Sequence, residues 1–217
     1  MLLVLFIKVE YVIGVIINYM INLGHYVVPV DTKNGVCIDI GANLGDFTDQ
    51  YRNHFSKIIY VEPQIELFNN LQTRFKILKH IIGYNKAAWS ESGVGLNLVA
   101  HSNMDSGSVG VSSGFLNKDW TNNIVNSTLS ITLADLLTEC NISNVDYLKV
   151  DCETSEYQFL YNKDLSMIKY LGIEIHSQMG IELYNLLLSW INKTHVLVSG
   201  DPTFINNINK EVLFKLK

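Results

Sequence analysis

Cysteine is scarce in this chain. Cys37, Cys140 and Cys152 are its only three, at irregular spacing. That excludes a disulfide framework and a zinc site built on paired cysteines. A reducing, intracellular setting, the cytoplasm, fits the pattern best. Basic clusters are missing too. Sixteen Lys and Arg stand against 21 Asp and Glu, for a net charge of −5, and nowhere do the basic residues group. Nucleic-acid binders carry a basic stripe for the phosphate backbone. The expected partner is therefore a small-molecule or saccharide substrate and no nucleic acid. Prolines number only three, and a chain of 217 residues reads by default as one α/β domain.

A long hydrophobic run is also lacking. Residues 1–30 are apolar apart from Lys8, Glu10, two asparagines and His25. Lys8 follows the first apolar residues, the reverse of a secretory signal. The stretch from Tyr11 to Leu23 falls short of the ~20 apolar residues of a membrane span and carries Asn18 and Asn22. Residues 1–30 thus read as an apolar packing segment before a single domain over 31–217. An anchor or a partner surface is the other reading.

What the chain has in plenty is core-forming material, 48% hydrophobic residues. From Val36 onward, short apolar runs alternate with helical periodicity. Val36 to Ile40, Lys57 to Val61, Val145 to Val150 and Tyr170 to Ile175 read as buried strands. Strands are also expected within Ile81 to Trp89, over Gly95 to Ala100, and over Val196 to Ser199 and Glu211 to Leu216. Helices are expected around Phe47 to Phe55, Leu67 to Phe75, Tyr157 to Tyr161 and Ile181 to Ile191. Such alternation predicts βαβ units and a mostly parallel sheet. The stretch from His101 to Asn126 breaks the pattern. It is rich in Ser, Asn and Gly, and reads as a long loop, either a lid or substrate wall or an unconstrained insertion.

The strongest local signal is Asp39-Ile40-Gly41-Ala42-Asn43-Leu44-Gly45, between a strand and a helix. Glycines let a backbone turn tightly and approach a ligand, and open α/β sheets bind ligands at the carboxyl ends of their strands. The spacing is G-x-N-x-G, not the G-x-G-x-x-G of dinucleotide folds, which argues against a nicotinamide-dependent reductase. Asp39 would repel a pyrophosphate but could accept from the ammonium of an amino acid. A ligand with an amino-acid head and a nucleoside tail satisfies both, and S-adenosylmethionine is such a ligand. Glu62, about 20 residues on and followed by Pro63, stands where a carboxylate chelates ribose hydroxyls. Its alternative role is to acidify a helix N-terminus.

These motifs resemble those of the FkbM-type methyltransferases. The resemblance rests on Asp39 to Gly45, Glu62-Pro63, Asn85-Lys86-Ala87-Ala88, Leu148-Lys149-Val150-Asp151-Cys152-Glu153-Thr154-Ser155-Glu156 and Ile173-Glu174-Ile175-His176, in that order. It implies a class I, Rossmann-like fold with seven mostly parallel strands, the last antiparallel. It implies O-methylation of a sugar-like or small-molecule hydroxyl, with S-adenosylmethionine as cofactor. It adds Asn85 and Ala87 to the cofactor set of Asp39, Gly41, Asn43, Gly45 and Glu62. One departure is Thr154, where the family has Gly. It leaves open a non-catalytic module that keeps the fold.

Asp151 closes one strand, and Glu153 and Glu156 follow it. Glu174 and His176, two apart on the next strand, point to one side of the sheet. His176 is the expected proton acceptor for the hydroxyl, its ordinary pKa lying near neutrality. Asp151 and Glu153 complete the catalytic set. A divalent metal such as Mg²⁺ held by Asp151, Glu153 and His176 is the alternative. For the thiols, alkylation of the native protein followed by unfolding should add label to all three cysteines by mass spectrometry. A Cys37–Cys152 bridge would overturn the reducing assignment.

Overall fold

The computed structural model describes residues 20–22, 26–101, 109–112, 120–206 and 208–217. In chain order the elements are β1 (Met20–Asn22), β2 (Val27–Pro29), β3 (Val36–Ile40), α1 (Asp46–Tyr51), β4 (Lys57–Val61), α2 (Ile65–Phe75) and β5 (Ile81–Tyr84). Next come β6 (Ala87–Ala88), β7 (Gly95–His101), β8 (Val109–Val111), β9 (Trp120–Ile131) and α3 (Leu133–Glu139). The chain continues with β10 (Val145–Val150), α4 (Glu156–Leu160), β11 (Ile168–Ile175), α5 (Gly180–Thr194), β12 (His195–Ser199) and β13 (Lys210–Leu216).

Seven strands form the main sheet in the order β12-β13-β11-β10-β3-β4-β5. The strands from β11 to β5 pair in parallel, and β13 runs antiparallel to both β11 and β12. This is the expected α/β architecture with its last strand reversed. Successive side chains of a strand point to opposite faces, and β3 shows the result. Ile38 and Ile40 face a core with Leu148, Ile173, Phe159 and Leu187, while Cys37 faces another with Tyr51, Leu71, Phe75 and Tyr147. Helices α3, α4 and α5 thus cover one face, and α1 and α2 the other. A sheet covered on both faces needs strands apolar on both, which is why β3, β4 and β10 read as near-continuous hydrophobic runs. All three cysteines are free thiols.

The expected boundary at residue 31 is not a break in packing. Val28 is fully buried in the core with Cys37 and Tyr51, and the Tyr147 hydroxyl donates to the Val27 carbonyl at 3.1 Å. Residues 1–19 and 23–25 of the expected N-terminal segment lie outside the described residues.

The stretch expected as a long loop from His101 to Asn126 is corrected in its described part. Val109–Val111 and Trp120 onward are strands of a second, four-stranded sheet in the order β6-β9-β7-β8. Strand β9 pairs with β7 through the backbone, and Ile124 and Val125 remain more than half exposed. With little to bury, β9 lacks the apolar pattern that marks the other strands. Helix α3 was not anticipated either. Its signal is Thr132, whose Oγ1 accepts from the Asp135 N–H at 3.1 Å as an N-cap, followed by buried Leu133, Leu136 and Leu137.

The turn between β10 and α4 places Glu153 at φ 48° and Thr154 at φ 76°. A β-branched residue in the left-handed region is a genuine outlier. Thr154 is also fully buried, and its hydroxyl finds no partner among the described residues. The glycine of the resembling family meets this backbone at no steric cost. Thr154→Gly is expected to raise stability by about 1–2 kcal/mol, read by chemical denaturation. A lower midpoint would show that the methyl and hydroxyl pack for more than the backbone loses.

Candidate active site

The glycine turn leaves the end of β3 and is held from beneath by a buried ion pair. Asp39 and Lys149 stand opposite each other in the β3–β10 ladder, with Lys149 Nζ 3.0 Å from Asp39 Oδ1. Both side chains are buried, at 0% and 4% exposure. Thr48 of α1 donates to the other Asp39 oxygen at 2.8 Å. Lys149 Nζ also donates to the carbonyl of Gly41 at 2.8 Å, and lies 5.4 Å and 6.0 Å from the ring centroids of Tyr26 and Phe47. Burial pushes the ammonium's pKa down, but Asp39 and Asp151 outweigh it and leave it above its ordinary value. The ammonium that the Asp39 carboxylate takes is the protein's own. Lys149 was not singled out by sequence, although one acid and one base within two apolar strand runs were a signal for such a pair.

The turn itself runs through the left-handed region at Gly41 (φ 73°), Asn43 (φ 51°) and Gly45 (φ 84°). A side chain at Gly41 would place its Cβ 1.7 Å from the Asp151 carbonyl oxygen, and one at Gly45 would meet Leu71 Cδ2 at 2.4 Å. Both glycines are thus needed for the chain's packing on itself, before any ligand is considered.

Glu62 closes β4, 2% exposed. One of its oxygens accepts from the Asn43 N–H at 2.7 Å, the other from the Gln64 N–H at 2.8 Å. It therefore ties the glycine turn to the start of α2, and each oxygen keeps a second lone pair. Burial pushes its pKa up to about 7, against the two N–H groups and Lys149. Asn85 is bound elsewhere than expected. Its Nδ2 donates to the carbonyls of Glu62 and Pro63, at 2.9 and 3.0 Å, so its amide staples the ends of β4 and β5.

A pocket open to solvent lies at the carboxyl ends of β3, β4 and β10. Its walls include Gly41, Asn43, Glu62, Ala87, Asp151 and Glu153, with Leu98, Val109 and Val111 of the second sheet. The donor set fits a nucleoside. It combines a carboxylate with free lone pairs, a turn of backbone groups, and a small apolar wall. A second pocket, lined by Tyr26, Phe47 and Lys149, shares Gly41, Asn43 and Asp151 with the first.

The structure brings Asp151, Glu153 and His176 together, with one ligand-type atom from each within 4.8 Å of the others. His176 is 2% exposed. Its Nδ1 lies 2.8 Å from Glu156 Oε1 and its Nε2 lies 3.2 Å from Glu153 Oε2. Burial pushes the imidazole's pKa down, but Glu156 and Glu153 outweigh it and hold it well above the ordinary value. Both ring nitrogens thus face carboxylates, and His176 lines neither pocket. Asp151 differs. Its side chain is 26% exposed, lines both pockets and lies 3.8 Å from Lys149. Burial pushes its pKa up, against the pull of Lys149 and His176.

The strand order and the glycine turn at the sheet's carboxyl edge define the class, that of S-adenosylmethionine-dependent methyltransferases with a Rossmann-like fold. The family model described as the methyltransferase FkbM domain matches residues 39–195, and the chain belongs to that family. Among solved structures, the fold is similar to that of M. capricolum TrmK in complex with S-adenosyl-homocysteine. The identity is 10% and the TM-score 0.50, over 86% of this chain and 65% of that one. It is also similar to the Methanococcus jannaschii fibrillarin pre-rRNA processing protein, at 9% identity and TM-score 0.53, over 91% and 70%. The methyltransferase FkbM from Methylobacillus flagellatus KT aligns at 15% identity and TM-score 0.47, over 83% of this chain and 43% of that chain. The chain thus spans less than two thirds of the TrmK and FkbM chains. No curated protein sequence matches it. Among the described residues, no helix is long and apolar enough to cross a membrane.

The buried acids set a pH dependence. Glu62 and Glu174 rise from an ordinary 4.5 to about 7, both chiefly through burial, with Asp151 adding to the rise at Glu174. The folded state therefore binds more protons than the unfolded one between these values, and stability falls as pH rises. Their contribution is full below about 4.5 and lost through about 7. Denaturation midpoints are expected to be lower at pH 8 than at pH 5.5, with a shallower fall in Glu174→Gln. A midpoint that rises over this interval would contradict the assignment.

Proposed function

We propose that the chain is an S-adenosylmethionine-dependent O-methyltransferase acting on a hydroxyl of a saccharide or small metabolite. The observation that carries this reading is the pair of pockets that share Gly41, Asn43 and Asp151. One is suited to the nucleoside of the cofactor, and the other reaches the same turn with the acceptor. When bound, S-adenosylmethionine supplies a methyl group on a sulfonium, whose sulfur keeps the electron pair of the bond that breaks.

The chain's residues do the remaining work. Glu62 takes ribose hydroxyls with the lone pairs that Asn43 and Gln64 leave free. Ala87 and the apolar wall of Leu98, Val109 and Val111 flank the base and exclude water. Asp39 acts indirectly, through Lys149 and the shape of the turn. Asp151 faces the acceptor, and its raised pKa suits it to take the hydroxyl proton as the new C–O bond forms. The net charge of −5 supports an acceptor without a phosphate backbone.

Calorimetry with S-adenosylmethionine and with NADP, followed by product mass after incubation with saccharide acceptors, tests the reading. We expect binding of the first and addition of one methyl group. Asp151→Asn should retain near-normal cofactor affinity and lose activity by ~100–10,000-fold. Full activity in this variant would move the proton acceptor elsewhere. Binding of NADP alone would return the chain to the reductase reading, and cofactor binding without turnover would make it a binding module.

A further inference from the structure

Four carboxylates crowd one corner of the sheet's carboxyl edge. Asp151, Glu153, Glu156 and Glu174 all lie around His176, whose Nε2 is 3.2 Å from Glu153 and 4.0 Å from Glu174. Among the described residues, the one lysine in ion-pair range is Lys149, and it is shared with Asp39. The corner therefore holds more negative than positive charge in a place where burial makes unpaired charge costly.

A second observation, at three hydroxyls, is independent of the charge. Thr154 Oγ1, Ser155 Oγ, Glu156 Oε2 and Ser177 Oγ are buried, with no hydrogen-bond partner among the described residues. Their residues are at most 2% exposed, and Ser155 lines the same pocket wall as Asp151 and Glu153. Buried polar atoms are nearly always satisfied, by protein, water or an ion. Water alone would satisfy the hydroxyls and leave the charge. A hydrated cation answers both.

We propose that Asp151, Glu153 and His176 form a site for a divalent cation at the mouth of the methyl-transfer pocket. The ligand atoms lie within 4.8 Å of one another, a spread that one ion can span at ordinary bond lengths of roughly 2.0–2.6 Å. Two carboxylates and one imidazole suit Mn²⁺ or a similar ion. The cation would lie on the Nε2 side of His176, toward Glu153. Glu156, on Nδ1, would orient the ring, as carboxylates do behind metal-bound histidines. Three protein ligands leave about three positions of an octahedron for oxygen. An acceptor with two neighbouring hydroxyls, as in a saccharide, can fill two of them and present one to the methyl group. This last role rests on the methyltransferase reading, whereas cation binding does not.

The test is titration of the whole protein with Mn²⁺, followed by electron paramagnetic resonance and calorimetry. S-adenosylmethionine binding is measured on the same samples. One Mn²⁺ per chain is expected, with affinity weakened at least about tenfold in Glu153→Gln. Asp151→Asn, also at a partly exposed position, serves as a second variant and should weaken binding likewise. No Mn²⁺ bound to the wild type, or binding that both variants leave unchanged, overturns the site. Cofactor binding without Mn²⁺ would sink the cation site alone. Mn²⁺ binding without the cofactor would uphold the site and sink the methyltransferase reading.

Discussion

The buried pair of Asp39 and Lys149 is the contact on which the site depends. It lies two residues back from the glycine turn, between two central strands, and ties together β3, β10, α1 and the Gly41 carbonyl. Removing one partner of such a pair leaves a buried charge uncompensated, a loss of about 3–5 kcal/mol. Replacing both with matched apolar groups is often neutral, so the pair is a poor account of stability by itself. Its value lies in placing two charges and a carbonyl where an apolar pair would place none.

The turn above it is fixed from three sides. Lys149 holds the Gly41 carbonyl, Glu62 holds the Asn43 N–H, and the Gly41 and Gly45 positions press on Asp151 and Leu71 with no room for a side chain. Each contact is internal to the chain. The turn is thus shaped before any ligand arrives, which lowers the ordering cost of binding there. Asn85 extends this scaffold by joining the ends of β4 and β5.

Much of the fold was legible in the sequence, because strands buried on both faces read as unbroken apolar runs. Val36–Ile40, Lys57–Val61 and Val145–Val150 agree with expectation residue for residue. Of the second sheet, β7 was legible as the expected strand over Gly95 to Ala100, but β8 and β9 were not. Strand β9 gains its order from backbone pairing with β7, and its exposed Ile124, Val125 and Leu129 fit no buried face. In the candidate site, the spacing predicts which residues meet at one edge of the sheet but not the partners of their atoms. Two-residue spacing puts Glu174 and His176 on one side of the sheet, but says nothing of Glu156, which reaches His176 Nδ1 from α4, the helix before that strand. Likewise a motif position identifies Asn85 without revealing that both of its contacts are carbonyls.

The wiring of the sheet has a kinetic consequence. Strand β3 pairs with β4 soon after it is made, but its other neighbour, β10, lies more than a hundred residues further on. During synthesis at roughly 5–20 residues per second, Asp39 waits several seconds for Lys149 to leave the ribosome. Until then its carboxylate has no lysine beside it, and one edge of β3 is open. Closing so long a loop comes late and slows folding. The nascent chain is therefore most exposed to wrong strand pairing in the interval between the glycine turn and the strand that locks it.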